Sequence, residues 1–337
     1  MTNNPSIKGE ILLDTYAIPG GRPDGDSVGC SQEVPRITTA LLTMPRVILA
    51  EFNTHCALNR NAQSSRARPV RLMIDDVINN PYVPVFRANG KGMQGYEEVP
   101  QDDPVSWWLE LRDDAVKTAN KMVEHNVHKQ YVNRLLEPWM FTQVQATGTE
   151  WANFFAQRCH EAAEPAMHDM AHKLLENYLA STPQTALKVV DPSGRELGSW
   201  HLPWVSQEEM DDNWGAFAYS TVTRHLSAKL GWSEIKAQNN YPVERWANHF
   251  WPDVSTGRSA RISYKPFEAE KSDILEDIRL AVEMSSNNPG HWSPFTHPAK
   301  SLKGSAESVM GYKGFQPYRA FFDNENITRI DNARSLL

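Results

Sequence analysis

At 337 residues, with 40% apolar residues and 11 Trp, 12 Phe and 10 Tyr, the chain is long enough for one large domain or two modest ones with a sizeable core. A net charge of −7 argues against a nucleic-acid coat protein, so any anion binding is local. Cys30, Cys56 and Cys159 are odd in number, far apart and without a CxxC pair, which argues against a disulfide framework; with no signal-peptide pattern in MTNNPSIKGE and no apolar run near the roughly 20 residues of a membrane span, the expectation is a cytoplasmic protein with no membrane partner.

In chain order, residues 7–17 predict a strand, 18–35 a Gly-, Pro- and Asp-rich loop, and 36–43 an inner strand. Pro45 suits the first turn of a helix through about His55. Pro69 opens another, with Val70, Met73, Ile74 and Val77 on one face. Residues 103–125 place Trp107, Leu111, Ala115, Ala119 and Met122 at helical spacing. Residues 127–136, about 149–159 and about 165–182 also predict helices, and STPQTALKVVDPSGRELGSW returns to strands and turns. Residues 213–231 predict an amphipathic helix, 232–258 an irregular Trp-, Asn- and Pro-rich insertion, and 272–288 a helix with a Ser N-cap. Long helices among a few strands imply an α+β fold, and no clean boundary divides the chain, so 1–337 is taken as a single domain with an insertion at about 232–258.

The stretch EFNTHCALNRNAQSSRARPV, from Glu51 to Val70, concentrates hydrogen-bonding groups. Arg60, Arg66 and Arg68 offer planar bidentate donors to phosphate, and Gln63, Ser64 and Ser65 add donors where small residues let backbone approach a ligand. Together they form a nucleotide-cradle pattern; the alternative is a polar loop with surface arginines. Arg134 and Arg158 lie in apolar helical sequence, where an anion or an internal Glu would have to accompany them. GHWSPFTH (290–297) and SARISY (259–264) could contact a cofactor or serve as turns with structural side chains. His168 and His172 fall on one helix face as a metal pair would, but the Glu of the zinc-protease motif and a third ligand are missing, which favours a solvated face and no metal. No GxGxxG, GxxxxGK[ST] or GxSxG occurs.

THCALNRNAQSSRARP resembles the signature of the flavin-dependent thymidylate synthases, an Arg-His-Arg followed by Ser, Asn and Ser-x-Arg. It is closer to their long, bacteriophage-type branch, to which HKQYVNRLLEPWMFTQVQATGTEWANFFAQRCHEAAEP, SWHLPWV, SARISY, HWSPFTH and GYKGFQPYR are similar in the same order, over most of residues 7–230 and 259–320. Ordinary members carry the Arg-x-Ser and Gly-His-x-Thr-Pro-Phe-Glu-His elements before the Arg-His-Arg stretch; here their counterparts follow it, a permuted order.

The resemblance implies a central, mostly antiparallel sheet with long flanking helices, and reductive methylation of dUMP to dTMP with FAD as cofactor and NADPH and methylenetetrahydrofolate as co-substrates. It implies that Gln63, Ser64, Ser65 and Arg66 contact dUMP, that Arg134 reaches its phosphate, and that Arg158 holds the pyrimidine and acts catalytically by stabilising charge as C5 becomes nucleophilic. It places His55, Cys56, Ala57, Asn153, Ser263, His291 and Ser293 at FAD-contacting positions and implies a homotetramer with shared sites, in a host cytoplasm if phage-encoded.

The pattern breaks at Cys56, where both branches have Arg, at Asn59 (Ser), Thr296 (Glu), and Glu164 and Ala166 (Gln and Glu). Cys30 and Cys159 are expected to be structural thiols, and the motif of the non-flavin thymidylate synthases, with its nucleophilic Cys, is not found. Three functions stay open: the dUMP methylating enzyme, a related flavoenzyme acting on C5 of another pyrimidine nucleotide such as dCMP or adding another one-carbon group, and a non-catalytic nucleotide-binding relative.

Overall fold

A computed structural model describes residues 6–17, 35–91, 95, 97–190, 196–211, 243–264, 272–287, 290–302 and 307–322. Strand β1 (Lys8–Tyr16) is followed by β2 (Arg36–Pro45), a 3-10 turn running into α1 (Leu49–Asn53), β3 (Asn59–Ala62), α2 (Val70–Asn79), α3 (Asp102–Glu124) and α4 (Lys129–Val132). A 3-10 segment (Asn133–Trp139) leads to β4 (Phe141–Gly148), α5 (Trp151–Arg158), α6 (Pro165–Ala180), β5 (Gln184–Thr185), β6 (Leu187–Val190), β7 (Glu196–His201) and α7 (Gln207–Asp211). The C-terminal part adds α8 (Val243–Tyr264), α9 (Ile274–Ser286), a 3-10 turn (Ser293–Thr296), β8 (Ala299–Ser301), β9 (Ser308–Val309), β10 (Tyr312–Lys313) and β11 (Phe315–Pro317). The first sheet has the order β3-β4-β2-β1-β5, antiparallel except for the β1–β5 pair, and a second antiparallel sheet runs β11-β8-β7-β6. The α+β class and the mostly antiparallel pairing are as expected, but the strands form two main sheets in separate layers rather than one central sheet.

The two faces of the first sheet differ in chemistry. Ala40, Leu42 and Met44 of β2 and Val144 and Ala146 of β4 pack on one side against Phe154, Met167, Met170 and Leu174 of α5 and α6. The opposite side carries Thr39, Asn61, Gln145 and Thr147, which the cross-strand register puts on a common face. That polar face is buried too, beneath a second layer whose apolar core includes Trp200, Leu202, Val254, Ile278, Phe295 and Tyr318. Buried hydroxyls and amides need partners. A chain of hydrogen bonds supplies them: Thr15 Oγ1 to His201 Nδ1 (2.8 Å), His201 Nε2 to Thr39 Oγ1 (2.8 Å), Thr39 to Thr147 (2.6 Å between hydroxyls) and Thr147 Oγ1 to His297 Nδ1 (2.8 Å). Gln145 bonds to Ser259 and Trp204 across the same seam.

Several expectations change. Residues 243–258 are not irregular: they belong to α8, whose side chains from Phe250 to Ala260 are all buried, so no amphipathic period marks the helix in the sequence. The N-cap of α9 is Asp273, accepting from the Leu275 amide, while Ser272 bonds Asp277. On α3 the packed face holds Val116 and Ala119; Trp107 (65% exposed) and Leu111 (59%) point outward, and Trp108 turns in instead, donating to the Tyr82 carbonyl. Residues 127–136 form only the short α4 before the chain tightens into a 3-10 segment containing Pro138. The anticipated helix at 213–231 and Cys30 lie outside the described residues. Among the described residues no helix is long and apolar enough to cross a membrane.

Candidate functional site

Residues 63–68 leave the end of β3 and turn back toward α2, with the Ala67 amide bonded to the Ser64 carbonyl. Of the arginines in the opening stretch, Arg60 and Arg68 are not available to a ligand as expected. Arg60 caps the end of α1, donating to the carbonyls of His55 (2.5 Å) and Phe52 (3.4 Å), and Arg68 pairs with Asp76 (2.5 Å). Arg66 is exposed, as is Arg134, and neither has a carboxylate partner among the described residues. Asn133, next to Arg134, is fully buried and donates to the Ser65 and Arg68 carbonyls, which fixes the Arg134 backbone beside the loop. Arg46 lies close by: it donates to the Gln63 carbonyl (2.8 Å) and stands 3.6 Å from Glu137. Burial, opposed by Glu137 and reinforced by the positive charge of Arg134, holds the Arg46 guanidinium below its ordinary pKa. The sequence reading did not single out Arg46 or Asn133; the available signal was a polar residue inside an apolar run.

A second cluster forms where α5 meets the end of α1. Arg158 Nη2 donates to Thr54 Oγ1 (3.1 Å), and Thr54 in turn donates to the Glu51 carbonyl. His55 is buried edge-on against Phe154 at 5.2 Å between ring centroids. Burial first, then the charges of Arg158 and Arg60, push its pKa down, so the imidazole is neutral near pH 7. Two buried nitrogens in this cluster, His55 Nε2 and Arg158 Nε, have no hydrogen-bond partner among the described residues. Cys56 is exposed, its thiol 3.5 Å from the Thr54 carbonyl, and Ala57 is half-buried in the turn before β3. Asn153 is exposed one turn before Gln157, to which it is bonded.

The expected cofactor residues from the C-terminal third meet β3 but are occupied. Ser263 Oγ (2.9 Å) and Ser293 Oγ (3.3 Å) both donate to Asn61 Oδ1, and Asn61 Nδ2 donates to the Ser259 carbonyl. His291 is half-buried, and burial lowers its pKa. The departures from the resemblance have local roles: Thr296 donates to the Ser293 carbonyl, and Glu164 N-caps α6 by accepting from the Met167 amide. Burial raises the Cys159 thiol above its ordinary pKa. The His168 and His172 rings lie 4.2 Å apart between centroids, tilted by 48°, and His172 Nε2 lies 3.2 Å from the Cys159 carbonyl. Among the described residues no group of His, Cys, Asp or Glu has the makings of a metal site.

Whether the flavin suggested by the resemblance fits turns on these contacts. The unpartnered His55 and Arg158 nitrogens, in a cluster without a carboxylate bonded to either, fit a ring bearing hydrogen-bonding atoms. The Ser263 and Ser293 hydroxyls support the scaffold beneath rather than the ring itself.

No protein-family model and no curated protein matches this chain. Among solved structures, the UMP/dUMP methylase PolB from Streptomyces cacaoi bound with 5-Br dUMP aligns at a TM-score of 0.40 and 13% identity, over 52% of this chain and 90% of that one. The same enzyme bound with 5-Br UMP aligns at a TM-score of 0.37 and 17% identity, over 43% and 69% of the two chains. A likeness this distant supports no conclusion about this chain.

Proposed function

We propose that the chain is a flavin-dependent enzyme that methylates C5 of a pyrimidine deoxynucleotide monophosphate, with dUMP as substrate. The observation that carries the reading is convergence: Asn133–Arg134 is pinned to the Gln63–Arg68 loop and Arg158 to Thr54, although the partners lie 68 and 104 positions apart in the chain. A polar loop with idle surface arginines would not need a buried amide donor brought from another segment. Arg66 and Arg134 are the free cations for the phosphate, and Gln63, Ser64 and Ser65 the polar wall beside it. Arg158, held by Thr54, presents its remaining donors to a pyrimidine carbonyl and stabilises the negative charge that builds there as C5 attacks a one-carbon unit. Neutral His55 and Arg158 orient the flavin from its edge, and Asn61, Ser263 and Ser293 brace the floor.

Bound flavin would carry the hydride from NADPH. The overall exchange would balance: the methylene carbon of methylenetetrahydrofolate forms a bond to C5 and gives up its two bonds to nitrogen, a hydride originating from NADPH completes the methyl group, and the C5 proton with one proton from solvent restores the two N–H groups of the departing tetrahydrofolate. The protein's part is to bind, orient and polarise. NADPH oxidation with FAD and methylenetetrahydrofolate that depends on dUMP supports this; oxidation dependent on dCMP alone would move the substrate assignment, and a protein that binds dUMP but no flavin would be a non-catalytic relative.

A further inference from the structure

The loop at 63–68 has an orientation that its side chains alone do not explain. Five of its six carbonyls are taken, four of them by side chains from outside the loop. Arg46 Nη1 holds Gln63 O (2.8 Å), Asn133 Nδ2 holds Ser65 O (2.6 Å) and Arg68 O (3.0 Å), Lys129 Nζ holds Ala67 O (3.0 Å), and the Ala67 amide holds Ser64 O (3.1 Å). Its amides are treated differently. Gln63 N–H returns to the sheet at Gln143 O (2.8 Å) and Arg66 N–H reaches Ser64 Oγ at a long 3.3 Å, while the N–H groups of Ser64 and Ser65 have no partner among the described residues. A loop with its carbonyls tied down and consecutive amides left over is a concave donor surface, of the kind that binds anions. Buried amides are rarely left without an acceptor, and Ser65 is 5% exposed. The exposed guanidiniums of Arg66 and Arg134, with no carboxylate partner among the described residues, supply the charge.

We infer that Arg46, Lys129 and Asn133 are positioning residues that set this polarity, turning the Ser64 and Ser65 amides outward as a nest for a phosphate monoester. Asn133 matters most. It holds two carbonyls at once, is fully buried, and its Oδ1 has no partner among the described residues, so the side chain is committed to the loop rather than to a network of its own. Arg46 reaches the loop from the 3-10 turn after β2, and Lys129 from α4, which runs directly into the segment carrying Asn133, so two segments outside the loop determine its shape. The inference takes its choice of ligand from the nucleotide reading and stands on the loop's own hydrogen bonds for the rest.

The test is selective 15N labelling of serine in the full chain, titrated with dUMP, deoxyuridine and inorganic phosphate. The Ser64 and Ser65 amide resonances are expected to move with dUMP and with phosphate, and to stay with deoxyuridine. Calorimetric binding of dUMP with both resonances unmoved would overturn the inference and leave the nucleotide reading intact. Phosphate moving them while dUMP does not bind would do the reverse. Asn133→Ala removes two donors without altering charge, so the dUMP dissociation constant should rise roughly tenfold to a hundredfold while that of deoxyuridine holds. If that variant does not fold, Lys129→Met should show a rise of about tenfold, rescued by Lys129→Arg, which keeps a donor at the Ala67 carbonyl. Equal losses for dUMP and deoxyuridine would reduce these residues to general supports and contradict the inference.

Discussion

At Cys56 a thiol stands where the resembled family has a guanidinium, at a position that places little demand on the side chain. The side chain is exposed and makes only a 3.5 Å contact to the Thr54 carbonyl, so neither packing nor a buried network depends on it. Arg60 and Arg158 already place positive charge around His55. Cys56→Arg should therefore fold normally and tighten FAD by about threefold to tenfold, the range expected of one added charge-assisted contact at a partly exposed position. Equilibrium titration of FAD by flavin fluorescence measures it. Unchanged affinity would mean that Cys56 does not face the flavin. Residue chemistry was only partly legible from sequence: the segment stood out as a concentration of hydrogen-bonding groups, yet Arg60 and Arg68 looked equivalent to Arg66. What separates them is a helix end and an aspartate eight positions on, and those depend on how the loop turns.

The element most readable in the sequence is α2, whose apolar residues repeat with the helical period because one face meets the core and the other is exposed. β2 is buried along nearly its whole length, and its β-branched, apolar run marked it instead. β4 alternates in chemistry, with Thr142, Val144 and Ala146 on one face and Gln143, Gln145 and Thr147 on the other, a period-2 signal that the long helices around it obscured. Helix α8 had no such signal, since both apolar and polar residues of its buried stretch are inside: Arg258 forms ion pairs with Glu209 and Asp277, and Arg261 with Asp277. Its glycine was equally silent. A Cβ at Gly257 would come 2.2 Å from the Asp277 carbonyl oxygen, so α8 and α9 touch backbone to side-chain-free backbone at this point. Gly257→Ala forces the helices apart where Arg258 and Arg261 hold Asp277. The expected cost is about 1–3 kcal/mol or more, read as a lower denaturant midpoint; an unchanged midpoint would show that the helices do not approach so closely.

Across the whole molecule, the first sheet and the layer above it meet through a polar seam rather than an oily one, and no hydrophobicity pattern announces such an interface. His201 and His297 sit in it fully buried, with burial holding both pKa values at about 3, and the His297 ring further disfavours charge on His201. The unfolded chain would titrate these groups near their ordinary value of 6.5. Between those limits the unfolded state binds more protons, so stability is fully present above pH 6.5 and falls as the pH drops toward 3. Each histidine contributes a slope of up to about 1.4 kcal/mol per pH unit in that window. Denaturant unfolding across pH 4–7 should show this decline, and His201→Gln should shrink the slope; a flat profile would place charged groups in the seam.

The seam also gives the functional proposal its logic at this scale. Asn61 ties β3 to α8 through Ser259 and Ser263 and to the 3-10 turn through Ser293, so the strand leading into the 63–68 loop is held by both the N- and C-terminal parts of the chain. The measurement that bears most directly on the central claim follows the carbon itself. The protein, supplied with FAD, NADPH and methylenetetrahydrofolate labelled in its methylene group, is incubated with dUMP and, separately, with dCMP, and the nucleotides are resolved. Label in dTMP, formed from dUMP and only when FAD is present, is the predicted result; label confined to a dCMP product, or none in either nucleotide while dUMP is bound, would contradict it.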